Sequence, residues 1–146
     1  MRFKGKKPIA SYKDTWCVDS TLRPIIAEAL RKFLEVKENP NHSDYFGVPG
    51  VLSDAGSDIK ELGVRSKEWD EILHKIHWAF DTPEPDIRKY DFEIKMIPVE
   101  GTEHRYKTEV VNQEEYDRYE QDLEDYWKKR TEGYELLGKY LFHMWW

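Results

Sequence analysis

Cysteine is nearly absent from this chain of 146 residues. The one thiol, Cys17, has no second cysteine to bond to. An internal disulfide is therefore excluded, and a reducing compartment fits. Long apolar runs are missing too. No stretch approaches the ~20 apolar residues a spanning helix needs, so no membrane association is expected. The basic start, MRFKGKKPIAS, has no apolar run behind it and does not read as a secretory signal. The sequence also lacks G-x-S-x-G, Ser-x-x-Lys, the P-loop, G-x-G-x-x-G and H-E-x-x-H. No catalytic site is indicated and no cofactor is expected. Net positive charge is lacking as well. At −6 the chain has no general attraction for the phosphate backbone, so duplex DNA is an unlikely partner.

Aromatic rings are what the chain has in abundance. Six Trp, nine Tyr and six Phe make 14% of it. Disordered chains are poor in such residues. One folded domain over residues 1–146 is expected, mainly α, with minor β structure. Residues 1–13 read as a basic arm or edge strand. From Asp14 the spacing turns helical. Leu22, Ile25, Ile26, Ala29, Leu30, Phe33 and Leu34 share one face of a helix expected over 20–37. Asp19 or Ser20 is a candidate cap, and Pro24 suggests a break before it. Residues 38–65 hold six Pro and Gly with apolar residues between them, which reads as a long packed loop. Ser66 is a candidate cap for a helix over 66–80. Trp69, Ile72, Leu73, Ile76, Ala79 and Phe80 form its stripe, with Trp78 on the opposite side.

The period then changes. Phe92, Ile94 and Met96 alternate with charges, and YKTEVV can return as a second strand. A β-hairpin inserted at 90–111 is expected, marginal unless it leans on the helices or on another chain. Asn112 and Glu115 resemble a capping box for a helix over 113–145. The stripe of that helix is interrupted by Arg130, whose guanidinium needs a partner if buried. Gly133 and Gly138 mark either a bend or the close approach of another backbone. Beyond Gly133 the chain is apolar nearly all round. Such a segment is surrounded, by its own core or by a second copy. Trp78, Tyr140, Phe142, Trp145 and Trp146 are accordingly the candidate interface of a homo-oligomer.

Each candidate for chemistry competes with a plainer structural reading. Glu71, His74 and His77 recur at helical spacing and form the alternative metal set. Di-metal bundles need a second such pair, however, and a solvated helix face fits better. Cys17 reads as a small buried hydrophobe. Asp54–Asp58 reads as a polar turn, and the acidic run from Glu114 to Asp125 as a solvated face. Arg23, Arg65, Trp78, Arg88 and Arg105 are candidate ligand-binding residues, because rings stack on bases and Arg pairs with phosphates.

The segments DTWCVDSTLRPIIAEALRKFLE, EWDEILHKIHWAFD and GYELLGKYLFHMWW, in that order, resemble a family of small tailed-bacteriophage proteins. The shared residues are Asp14, Trp16 and Asp19; Pro49 and Gly50; Trp69, Leu73, Ile76, Ala79 and Phe80; then Gly133, Leu136, Leu137, Lys139, Tyr140, Met144 and Trp145. Together these blocks cover about a third of the chain, and the hairpin is not part of the pattern. The resemblance implies a helical fold and residence in the host bacterial cytoplasm, with no assigned activity. The leading expectation is a phage accessory protein that binds a host protein or a small nucleotide ligand without catalysis. It would sequester a nucleotide immune signal or block a host defence protein. The alternatives are a metal-assisted phosphohydrolase or nuclease built on Glu71, His74 and His77 with a carboxylate from the first helix, and a virion or assembly component.

Overall fold

A computed structural model describes residues 2–5, 7–15, 17–39, 59–101 and 104–144. It is mainly helical with minor antiparallel β structure, as the sequence periods imply. Strands β1 (Arg2–Lys4) and β2 (Lys7–Ile9) pair antiparallel around Gly5. Helix α1 spans Val18–Lys37, and α2 spans Ile59–Asp81. Strands β3 (Glu93–Pro98) and β4 (Tyr106–Val111) form the second hairpin, and α3 spans Gln113–Tyr140. Contacts divide the chain into two compact units. One comprises Met1–Thr82 with Lys129–Trp146, and the other comprises Pro83–Lys128.

The first unit is built on an apolar core. Ala27, Leu30, Phe33 and Leu34 of α1 meet Trp69, Ile72, Leu73, Ile76, Ala79 and Phe80 of α2, and Tyr140 of α3 joins them. Trp69, Leu73 and Ile76 are fully enclosed. Burying such side chains is worth about 1.5–3 kcal/mol each, more for the larger indole. Gly133 is a packing requirement. A Cβ there would collide with the Ala79 Cβ and lie 2.9 Å from the Lys75 carbonyl oxygen. Of the two readings offered by the glycines, close backbone approach holds at Gly133. Gly138 faces open space.

Among the described residues of this unit, two charged side chains are buried, and both are partnered. The Lys37 ammonium meets Asp70. Arg130 is 2% exposed. Its Nε donates to the Tyr134 hydroxyl at 2.7 Å, its guanidinium lies over the Tyr134 ring, and Asp19 is 3.8 Å away. The charge interrupting the α3 stripe is thus held by an i,i+4 hydrogen bond and a carboxylate from α1.

The second unit has a different construction. Phe92 packs edge-on against Tyr116 and tilted against Tyr119, while Tyr90 meets Tyr119 edge-on. The Tyr90 hydroxyl donates to Asp122 at 2.6 Å. Asn112, at φ 65°, caps α3 by accepting from the Glu115 amide, and its own amide donates to the Asp91 carbonyl. The Glu115 carboxylate accepts from the Asp91 N–H at 3.4 Å rather than reaching back to Asn112. The cap therefore ties the start of α3 to the chain leading into β3. Most of the hairpin itself stays exposed.

Several expected boundaries move. Helix α2 begins at Ile59, so Ser66 lies inside it and not at its start. Gly63 costs a helix only about 1 kcal/mol, too little to stop one. Helix α1 starts at Val18 and continues through Pro24, with Cys17 at its cap position and no side-chain cap. Proline removes a single ladder bond, and the packed face beyond it keeps the helix intact. Cys17 is exposed, not a buried hydrophobe, because the N-terminal end of α1 lies outside the core. Helix α3 ends at Tyr140 rather than near 145. A 3-10 turn over Leu141–His143 follows, in which the Met144 amide bonds to the Leu141 carbonyl. Tightening of a last turn in this way is common at helix ends. Residues 40–58, which hold most of the expected loop, lie outside the described residues, as do Trp145 and Trp146.

Candidate functional site

The inward stripe of α2 leaves its other side to Glu71, His74, Lys75 and Trp78. Trp78 is half-buried and packs against the margin of the core. The Lys129 ammonium lies 5.9 Å from the centroid of its ring. One turn back, Lys75 bonds to Glu132 of α3 at 2.7 Å. That bond and the attraction of Glu132 raise the Lys75 pKa, so the ammonium stays charged throughout the physiological range. His74, Lys75, Trp78, Lys129 and Glu132 line an open groove of about 400 Å³ within the first unit.

The position of the groove follows from packing. Gly133 lets the backbones of α2 and α3 approach closely. Glu132 and Lys129 lie one and four residues before that contact, while Lys75 and Trp78 lie on the facing turns of α2. An aromatic face and two ammonium groups are thereby held on helices rather than on loops. Such a set can stack a planar ring and neutralise an anion beside it.

A second depression, of about 550 Å³, is lined by Arg31, Leu34, Glu35, Glu38, His74 and His77. Its charges are largely spent on one another. Arg31 bonds to Glu28 at 2.7 Å and to Glu35 at 3.1 Å, and His74 lies 3.5 Å from Glu38. The bonds from Arg31 and Lys32 hold Glu28 and Glu35 below the usual carboxylate range.

Of the five proposed ligand residues, Trp78 alone lines the groove. Arg23 sits in the first unit and donates to the Thr82 carbonyl at 2.9 Å, which fastens α1 to the end of α2. Arg88 and Arg105 belong to the second unit. Arg88 is held by Asp86, at 2.9 Å from both carboxylate oxygens, and Arg105 is exposed. The side chain of Arg65 lies outside the described residues. Glu71, His74 and His77 do not converge, and no group of three or more such side chains among the described residues is placed to hold a metal ion.

The proposed interface residues part ways as well. Tyr140 is buried in the core against Trp69, with ring centroids 5.4 Å apart. Phe142 is 87% exposed, and Leu141 beside it is exposed too. No helix among the described residues is long and apolar enough to cross a membrane.

Sequence reasoning missed Lys75, Lys129 and Glu132. The available signal was Lys75 three residues before Trp78, one helical turn away on the same side. Comparison of the chain with protein-family models, with curated proteins and with solved structures found no match.

Proposed function

We propose that this chain acts by binding rather than by turnover, and that the Trp78 groove takes a small anionic molecule with a planar ring, of the nucleotide class. The observation that carries the reading is the Lys129 ammonium poised over the Trp78 ring beside Lys75. A base stacking on the indole takes the place of the lysine contact, and Lys129 then turns to the phosphate. The volume of about 400 Å³ lies in the range of small-molecule sites. Glu132 steadies Lys75 and disfavours ligands whose charge falls on its side of the groove. The resemblance to tailed-phage proteins supports placing this activity in the host bacterial cytoplasm, as sequestration of a nucleotide signal.

The test is calorimetric titration with mononucleotides and cyclic dinucleotides, for the native chain and for Trp78→Ala and Lys129→Gln. Stacking on an aromatic side chain is worth about 1–3 kcal/mol per base, so Trp78→Ala is expected to weaken binding by about fivefold to a hundredfold. Unchanged helicity and melting temperature in both variants keep the comparison clean. Absence of binding to any of these ligands at millimolar concentration, or binding indifferent to Trp78, overturns the reading.

A second reading, a host protein as partner, is favoured by the exposed pair Leu141 and Phe142. Changing both to serine should abolish capture of that partner and leave nucleotide titrations untouched.

A further inference from the structure

We propose that the outer edge of β4 pairs with the same edge of a second copy of this chain, forming a four-stranded antiparallel sheet. The argument begins with the hydrogen-bond phase of the hairpin. Its register sets Pro98 opposite Tyr106 and Glu93 opposite Val111. One step beyond the ladder, the Val99 N–H donates to the Arg105 carbonyl at 2.8 Å. Opposed residues in an antiparallel ladder alternate between pairs that exchange main-chain bonds and pairs that do not. Counting from Val99 and Arg105, it is Lys107, Glu109 and Val111 that bond to β3. Tyr106, Thr108 and Val110 therefore turn their N–H and C=O groups the other way, where the sheet has no further strand among the described residues.

The two edges of the hairpin are not equivalent. On β3 the outward positions are Ile94, Met96 and Pro98. Proline has no N–H to offer, so that edge is blunted. The β4 edge keeps every donor and acceptor. The charges differ as well. On β3, Lys95 lies 3.5 Å from Glu93 of the same strand. Lys107 and Glu109 of β4 have no ion-pair partner among the described residues.

The spacing of that open charge pair selects the partner. When two β4 edges meet antiparallel about Thr108, Lys107 falls opposite the partner's Glu109, and Glu109 falls opposite the partner's Lys107. Both are pairs without mutual main-chain bonds, the type in which facing side chains come closest. Thr108 meets its own counterpart, and Tyr106 meets the partner's Val110 across bonded pairs. Sliding the register so that Thr108 meets the partner's Tyr106 sets Lys107 against the partner's Lys107. Sliding it the other way sets Glu109 against the partner's Glu109. Charge complementarity thus admits one register and disfavours its neighbours. Charges on an edge strand usually deter pairing; an alternating pair centred on a threonine deters strands that lack its complement, and a second copy supplies that complement. The join also extends a face that is otherwise exposed, where Met96 is 75% and Tyr106 59% accessible. A two-stranded ribbon is marginal in water, and additional strands stabilise it.

The test is sedimentation equilibrium of the full chain and a charge series at these exposed positions. The native chain should reach twice its 17.6 kDa mass as concentration rises. Lys107→Glu and Glu109→Lys should each weaken self-association by about tenfold or more, since each places two like-charged pairs at the join. The double exchange Lys107→Glu with Glu109→Lys should restore the native constant. A mixture of the two single variants should associate more strongly than either alone. A chain that stays at 17.6 kDa up to about 1 mM, or a dimer indifferent to the charge series, overturns the proposal.

Discussion

The two units solve the same problem with different means. Both are rich in aromatic residues. In the first, Trp69, Leu73 and Ile76 are enclosed by three helices, and even the buried cations Lys37 and Arg130 have partners. In the second, Phe92, Tyr90, Tyr116 and Tyr119 form a small ring cluster held by surface hydrogen bonds, while Ile94, Met96 and Tyr106 stay exposed. An unbroken helical stripe carries its own instruction for burial. An alternating strand needs a second layer, and the hairpin brings none of its own. The first unit thus encloses its apolar side chains, and the second leaves many of them exposed.

The sharpest break of that comparison is a matched truncation. Trp69→Ala removes an enclosed ring and should lower stability by about 3–5 kcal/mol in thermal or denaturant unfolding. Met96→Ala, on the exposed face of the hairpin, should change it by no more than about 0.5 kcal/mol. Comparable losses at the two positions would dissolve the distinction. The next test lies within α3. Gly133→Ala forces a methyl group into Ala79 and should cost about 1–3 kcal/mol. Gly138→Ala meets nothing and should gain up to about 1 kcal/mol from helix propensity. If both changes moved the melting temperature in the same direction, the close approach of α2 and α3 would be wrong.

Smaller effects belong to the second unit. Tyr90→Phe removes the bond to Asp122 and should show as modestly faster exchange of amides in residues 83–128. Alkaline pH probes the same contact without mutation. The bond to Asp122 raises the Tyr90 pKa above its ordinary 10.0, and a bond to Glu120 does the same for Tyr116. A phenol that releases its proton less readily when folded adds stability that is complete below pH 10 and lost as pH climbs through the raised values. The second unit should therefore loosen above about pH 10 before the first, and less so in Tyr90→Phe.

Much of this fold was legible in the sequence. The stripes of Leu30, Phe33 and Leu34, and of Trp69, Leu73 and Ile76, announce buried helix faces. The alternation of Ile94 and Met96 announces a strand. Boundaries were less legible, because Gly63, Pro24 and Ser66 are weak punctuation that packing overrides. The groove was harder still. Lys129 and Glu132 stand more than fifty residues from Trp78, and their meeting depends on the missing Cβ of Gly133. Sequence could flag that glycine, but not which backbone it admits. The partners of the arginines were equally hidden: Arg23 donates to the Thr82 carbonyl and Arg88 to the Asp86 carboxylate, which spacing alone does not reveal.

Amide hydrogen exchange, resolved by residue and run at a concentration low enough to keep the chain monomeric, tests the contrast between the units most directly. Amides around Trp69, Leu73 and Ile76 should exchange only through global unfolding, while those of β3 and β4 should exchange orders of magnitude faster. Equal protection in the α2 core and the hairpin would contradict the division into an enclosed core and an exposed hairpin.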